Sequence, residues 1–159
     1  MTPGQSPSAT GPSPSSTSIV AGGCATSQLT VALGPSNGTA GAIYYPVQFT
    51  NKTAASCTLY GFPGVSFAAG TDEHQVGAAA SRTQQTPATI TVMPRATASA
   101  LLRVTDSGVY GCTRVQVNGL RIYPPGNTES VIVSYSGMAC TSDVQQLTVG
   151  TVVTGSSGQ

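Results

Sequence analysis

Four cysteines constrain this chain more than any other feature. Cys24, Cys57, Cys112 and Cys140 are widely spaced and include no C-x-x-C pair. That pattern reads as a disulfide framework, not as a zinc site or a dithiol redox motif. Disulfides persist outside the reducing cytosol, so the expected localisation is extracytoplasmic. Four cysteines allow three connectivities, and the turns between them select one. Pro124-Pro125-Gly126-Asn127 sets Pro ahead of Gly in a tight turn, and Cys112 and Cys140 lie fourteen residues on either side of Gly126. An antiparallel hairpin centred there brings them face to face. Cys24 precedes a first strand, Cys57 follows a second, and a hairpin through Gly34–Gly41 returns one toward the other. The expected pairing is Cys24–Cys57 and Cys112–Cys140, each closing a loop of about 30 residues worth about 3–4 kcal/mol in the chain-entropy treatment.

Turn residues recur every eight to twelve positions between the cysteines, the spacing of a sandwich of short strands. Strands are predicted at Ser27–Leu33, Ala42–Thr50, Val65–Ala69, Gln75–Ala80, Thr89–Met93, Ala98–Thr105, Val115–Tyr123, Ser130–Tyr135 and Gln145–Val153. Charged residues make up only 7% of the chain, and polarity comes from Ser, Thr, Asn, Gln and Gly. Thr and Val suit a pleated surface, whereas helices would want Ala, Leu, Glu and Lys at 3.6-residue spacing. In the second strand Ile43, Tyr45, Val47 and Phe49 share an apolar face. In the sixth, Ala98, Ala100, Leu102 and Val104 do, with Ser99, Leu101 and Arg103 on a wetted face. Pro46 has no N–H to give a ladder, which places its strand at an edge or at a bulge. Phe62-Pro63-Gly64-Val65 has the Pro-Gly order of a type II turn, with Gly64 at the positive-φ position. Asn118-Gly119 breaks the alternation between Val117 and Leu120, as a β-bulge would. The expected fold is an all-β, immunoglobulin-like antiparallel β-sandwich with two disulfides.

Residues 1–21 are Ser, Thr, Pro and Gly with little to bury and read as a disordered tether. Residues 22–154 form the sandwich domain, and 155–159 read as a disordered tail. Met1-Thr2-Pro3-Gly4 has neither the basic nor the apolar segment of a secretory leader, so a leader is expected to have been removed and an initiator Met put in its place. No apolar run approaches the roughly 20 residues of a spanning helix. A net charge of +1, with six scattered basic residues, gives no footprint for nucleic acid or anionic lipid.

Phe49-Thr50-Asn51, followed by Cys57-Thr58-Leu59-Tyr60-Gly61-Phe62-Pro63-Gly64-Val65, resembles the core motif of the actinobacterial domain-of-unknown-function family 4232. That motif reads F-T-N, a short turn of small residues, then C-x-L-x-G-[FY]-P-G-V. The cysteine before the first strand and the two late cysteines fit as well, so the resemblance spans residues 24–153. It implies a β-sandwich in exported proteins, frequently lipid-anchored behind Ser/Pro-rich spacers, and it brings no catalytic residues. This chain has the spacer from Ser6 onward and lacks a lipobox cysteine, which puts any lipid anchor upstream of the tether.

Candidate sites are few. His74 is the single histidine, which excludes a blue-copper centre and limits a metal reading to His74 with Met93 or Met138. Asp72, Glu73 and His74 after Gly70 read instead as a polar hairpin turn. No G-x-S-x-G elbow is present, and the five carboxylates, Asp72, Glu73, Asp106, Glu129 and Asp143, all sit beside turns. Asn51 reads as an Asx turn, and Tyr45 and Phe49 as core. The candidate interaction surface is Tyr44, Tyr60, Phe62, Arg103 and Arg121. Tyrosines near turns offer contact area at little entropic cost, and the two arginines would make an anion-binding pair if their strands are neighbours. The expected function is a non-catalytic cell-envelope domain with an interaction or structural role. Its partner would be an envelope protein or glycan, with no catalytic residue, cofactor or metal. The alternatives are a small-molecule or metal carrier and, disfavoured, a hydrolase.

Overall fold

The structure, a computed structural model, describes residues 22–159; the expected tether at 1–21 lies outside the described residues. The strands are β1 (Leu29–Leu33), β2 (Asn37–Thr39), β3 (Ala42–Asn51), β4 (Cys57–Tyr60), β5 (Gly64–Ala69), β6 (His74–Val76), β7 (Ser81–Arg82), β8 (Thr89–Val92), β9 (Thr97–Thr105), β10 (Arg114–Tyr123), β11 (Val131–Cys140), β12 (Leu147–Val149) and β13 (Val153–Thr154). A seven-stranded sheet runs β1-β3-β9-β12-β7, with β2 continuing beside β3 and β13 beside β9. A four-stranded sheet runs β11-β10-β5-β6, and β4 and β8 make a separate pair. All these pairings are antiparallel except β12 with β7. The expected sandwich and both disulfides, Cys24–Cys57 and Cys112–Cys140, are present.

Period-2 alternation places the core. Val47 and Phe49 of β3 and Ala98, Ala100, Leu102 and Val104 of β9 are buried, as are Phe67 of β5 and Leu120 and Ile122 of β10. Each buried Leu, Ile or Phe contributes about 1.5–3 kcal/mol. The rings of Tyr45 on β3 and Tyr135 on β11 meet edge to face across the sheets, with centroids 5.8 Å apart. Ile43 departs from expectation: it shares the inward register of Tyr45 yet is 40% exposed, because it ends at a gap between the sheets.

Several local expectations are corrected. Pro46 is not at an edge, since β3 lies between β1 and β9. The alternative, a bulge, is what the register shows: Leu33 pairs with Val47 and Asn37 with Tyr44, so three residues stand opposite Tyr45 and Pro46. The Pro46 carbonyl accepts from Gly34 N at 2.8 Å, just where the β1 ladder ends at Leu33 opposite Val47 and before β2 begins. A residue's N and C=O point to the same side of a strand, so the missing N–H faces that break and no ladder bond is lost. Gly64 is not in a positive-φ turn. It is the first residue of β5, opposite Tyr123, and the left-handed residue is Gly61, at φ 96°. The second Pro-Gly turn behaves as expected: Gly126 has φ 77° and Asn127 N donates to Pro124 O at 3.0 Å.

The bulge also falls where the alternation breaks. Val117 pairs with Gly137 and Gly119 with Ser134, so Asn118 alone stands opposite Tyr135 and Ser136. Residues beyond the expected domain boundary at residue 154 lie on the outer face of the larger sheet. Ser99 Oγ donates to Gly155 O at 2.6 Å, Gly158 N donates to Ser99 Oγ at 2.7 Å, and Gln48 Nε2 donates to Ser156 O at 3.0 Å. That contact buries Ser99 on the face expected to be wet.

Candidate functional site

The antiparallel register of β3 and β9 sets Tyr44 directly opposite Arg103. Both project from the face of the larger sheet turned away from the core. Tyr44, Pro46, Gln48 and Leu101 floor a groove of about 610 Å³, walled by Asn37–Thr39 of β2 on one side and by Ser156, Ser157 and Gln159 on the other. A second hollow of about 400 Å³ shares Tyr44, Leu101 and Gln159 and adds Arg103, Gln85 and Thr148. The floor is an aromatic ring, a proline, a leucine and the Gln48 amide. The walls of the larger groove are hydroxyls and amides without a charged side chain.

The other predicted surface residues are not part of this face. Tyr60 ends β4 in the small sheet and is 58% exposed. Phe62 lies under the guanidinium of Arg82, 5.2 Å from the ring centroid, a cation–π contact that covers it. Arg121 belongs to β10 in the other sheet, and its guanidinium donates to Glu73 O at 2.8 Å and Ser130 Oγ at 3.1 Å. Arg103 and Arg121 therefore make no anion-binding pair, because their strands lie in different sheets.

The metal reading loses its geometry in the same way. His74 begins β6, Met138 lies on β11 at the opposite edge of the four-stranded sheet, and Met93 follows β8 in the small sheet. Among the described residues no three His, Cys, Asp or Glu side chains converge. His74 Nδ1 meets Asp72 Oδ1 at 2.8 Å, in the open. That hydrogen bond, with the imidazole's charge behind it, holds the Asp72 carboxyl below its ordinary pKa. All five carboxylates of the chain are exposed.

Asn51 is fully buried and structural. Its Nδ2 donates to Ala55 O at 2.8 Å and Val92 O at 3.0 Å, and its Oδ1 accepts from Thr53 N at 2.9 Å and Thr53 Oγ1 at 2.7 Å. All four of its side-chain bonding positions are thereby used.

A third hollow has no counterpart among the candidates the sequence offers. Where β3, β9 and β11 approach the Cys112–Cys140 bridge, the sheets leave a cleft of about 450 Å³ between them. Ile43, Tyr45 and Val104 line one side and Tyr135, Gly137 and Met138 the other. Burial, reinforced by the neighbouring Tyr45, pushes the Tyr135 phenol up to about 12, so the cleft presents it protonated. The available signal was the small-residue pair Ser136-Gly137, whose lack of bulk opens the strand pattern just after Tyr135.

These features define a disulfide-braced β-sandwich domain with surface hollows and, among the described residues, no helix long and apolar enough to cross a membrane. The chain matches the family described as Domain of unknown function (DUF4232) over residues 24–153, and it belongs to that family. No curated protein and no solved structure matches it.

Proposed function

We propose that this is a non-catalytic binding domain working outside the cytoplasm, at the cell envelope, and that the Tyr44 groove is its contact surface for a neutral glycan. The observation that carries the reading is the groove's make-up: Tyr44, Pro46 and Leu101 on a floor shared with the Gln48 amide, within walls of amide and hydroxyl side chains. Sugar rings present C–H faces to an aromatic ring and hydroxyls to amides, so such a lining matches them. Its volume lies within the range of ordinary ligand sites, about 300–1,000 Å³. Both disulfides support the compartment, because such bonds persist where thiols are not kept reduced. The Tyr44 groove has no Asp or Glu in its lining. That supports glycan binding there over glycoside hydrolysis, a reaction that in most families uses two carboxyl groups flanking the bond.

Co-sedimentation with purified cell-wall polysaccharide tests it. Wild type is expected in the pellet, and Tyr44→Ala is expected to stay in the supernatant with an unchanged melting temperature. A photo-crosslinker at position 44 that captured one envelope protein, with no polysaccharide retention, would replace the glycan by a protein partner.

A further inference from the structure

Of the six exposed large apolar side chains among the described residues, two line one cleft and a third lies at its rim. Ile43 (40% exposed) and Met138 (43%) face into the inter-sheet cleft beside Cys112–Cys140. Val109 (63%) approaches Gly41 at the same rim, its Cγ2 lying 3.9 Å from where a Gly41 Cβ would be. Isolated exposed apolar residues are ordinary, but their convergence on one concavity marks a binding site. The cleft is also kept open locally. A Cβ on Gly137 would lie 3.0 Å from Tyr135 Cε2 and Oη, so the ring of Tyr135 rests against that glycine and forms the floor with Tyr45.

Two charges sit at the mouth. Arg114 makes no ion pair or side-chain hydrogen bond among the described residues. Asp106 has one carboxylate oxygen, Oδ1, engaged by Gly108 N at 2.8 Å. Both line the cleft. Arg114 is the free donor there, while Asp106 opposes any anion that approaches it.

We propose that the cleft binds one small planar aromatic molecule with an anionic head, its ring against Ile43, Met138 and the tyrosine pair and its head on Arg114. This is a second site, separate from the Tyr44 groove and independent of the glycan reading. The shape favours a small molecule over a protein surface, because the concavity runs inward between the sheets and ends on Tyr45 and Tyr135.

The probe is 8-anilinonaphthalene-1-sulfonate, titrated by fluorescence into the oxidised protein, with circular dichroism confirming that each variant is folded. One saturable site per chain is expected. Met138→Gln should weaken it about fivefold by removing apolar contact. Arg114→Gln should weaken it about fivefold, and Asp106→Asn, which keeps the acceptor for Gly108 N, should strengthen it about twofold. Tyr44→Ala should leave it unchanged, so failure of the groove reading and failure of this one are distinguishable. Absence of saturable binding up to about 1 mM overturns the proposal. So does binding that ignores the opposite charge changes at Arg114 and Asp106, both of which are exposed and can be altered without disturbing the core.

Discussion

At one end of the sandwich the Cys24–Cys57 bridge is buried among side chains bonded to backbone. At the other, Cys112–Cys140 borders a cleft ringed by exposed apolar groups. At the first end Asn51 ties the last residue of β3 to Ala55 and Val92. Asn127, on the β10–β11 turn, donates to Cys24 O at 2.8 Å and accepts from Thr26 N at 3.1 Å, and Thr26 Oγ1 donates to Glu129 O at 3.0 Å. The cleft at the second end is lined in part by Gly41, Ser107 and Gly137, residues that fill little space. Two bridges closing loops of similar length thus serve different ends. Both ends carry a buried amide, since Gln146 accepts from Cys140 N at 2.9 Å and donates to Met138 O at 3.1 Å. Only at the second end do small residues leave a cleft beside it.

The two bridges offer the largest test of that contrast. Their sequence separations are 33 and 28, so loop entropy alone predicts nearly equal losses, about 3–4 kcal/mol for removing either. The surroundings predict inequality, because Cys24 and Cys57 are both buried while Cys112 is half-exposed. Cys24→Ala with Cys57→Ala should cost at least about 1 kcal/mol more than Cys112→Ala with Cys140→Ala, since it also leaves cavities at buried positions. Urea unfolding of the two double variants measures this. Equal midpoints would mean that the bridges act through the unfolded chain alone and would break the comparison.

Asn51→Ala should rank next, at about 1–3 kcal/mol, because it leaves Val92 O without its Asn51 donor in a buried site, while Ala55 O keeps Thr53 Oγ1. Asn51→Asp should be at least as harmful: it keeps the acceptor for Thr53 N but turns a carboxylate oxygen toward two carbonyls. Both variants should unfold at lower urea concentration while keeping the cleft's probe affinity. A loss of that affinity would mean that the two ends are coupled.

The sequence made the bridges and the cores of β3 and β9 legible, because each depends on local spacing. Gly126 and its turn set the second pairing, and period-2 alternation placed Val47, Phe49, Ala100 and Leu102. β2 was not legible, since Asn37-Gly38-Thr39 buries nothing and exists through its ladder with Ala42–Tyr44. β4 was hidden for another reason: four residues with only Cys57 and Leu59 buried are too few to display a period. The position of Pro46 needed knowledge of where a neighbouring strand stops. For the site, Tyr44 and Arg103 were picked as residues, but their adjacency depends on the β3–β9 register. The cleft was invisible because Ile43 looks like core until a bulge and two small residues on β11 remove what would have covered it.

Tyr135 gives the smallest effect and the one most specific to the open end. Burial, then the nearby Tyr45, raises its phenol to about 12 in the folded chain, against about 10 when unfolded. Between those values the unfolded chain has released a proton that the folded chain retains, so stability falls as pH rises through that window. Below about pH 10 the contribution is fully present, and it is gone once the folded phenol also ionises. Because the ring is partly open to solvent through the cleft, screening should keep the effect modest. Wild type should therefore show one late step in its absorbance titration at about 295 nm and a falling urea midpoint from about pH 10 to 12. Tyr135→Phe should lose the late step and flatten the decline, while retaining the ring contacts with Tyr45 and Phe67. Saturating the cleft with the anionic aromatic probe should push the late step later still, because a second negative charge beside the phenol opposes its ionisation. An unshifted step in the saturated protein would place the bound probe away from Tyr135 and separate the cleft's floor from its mouth.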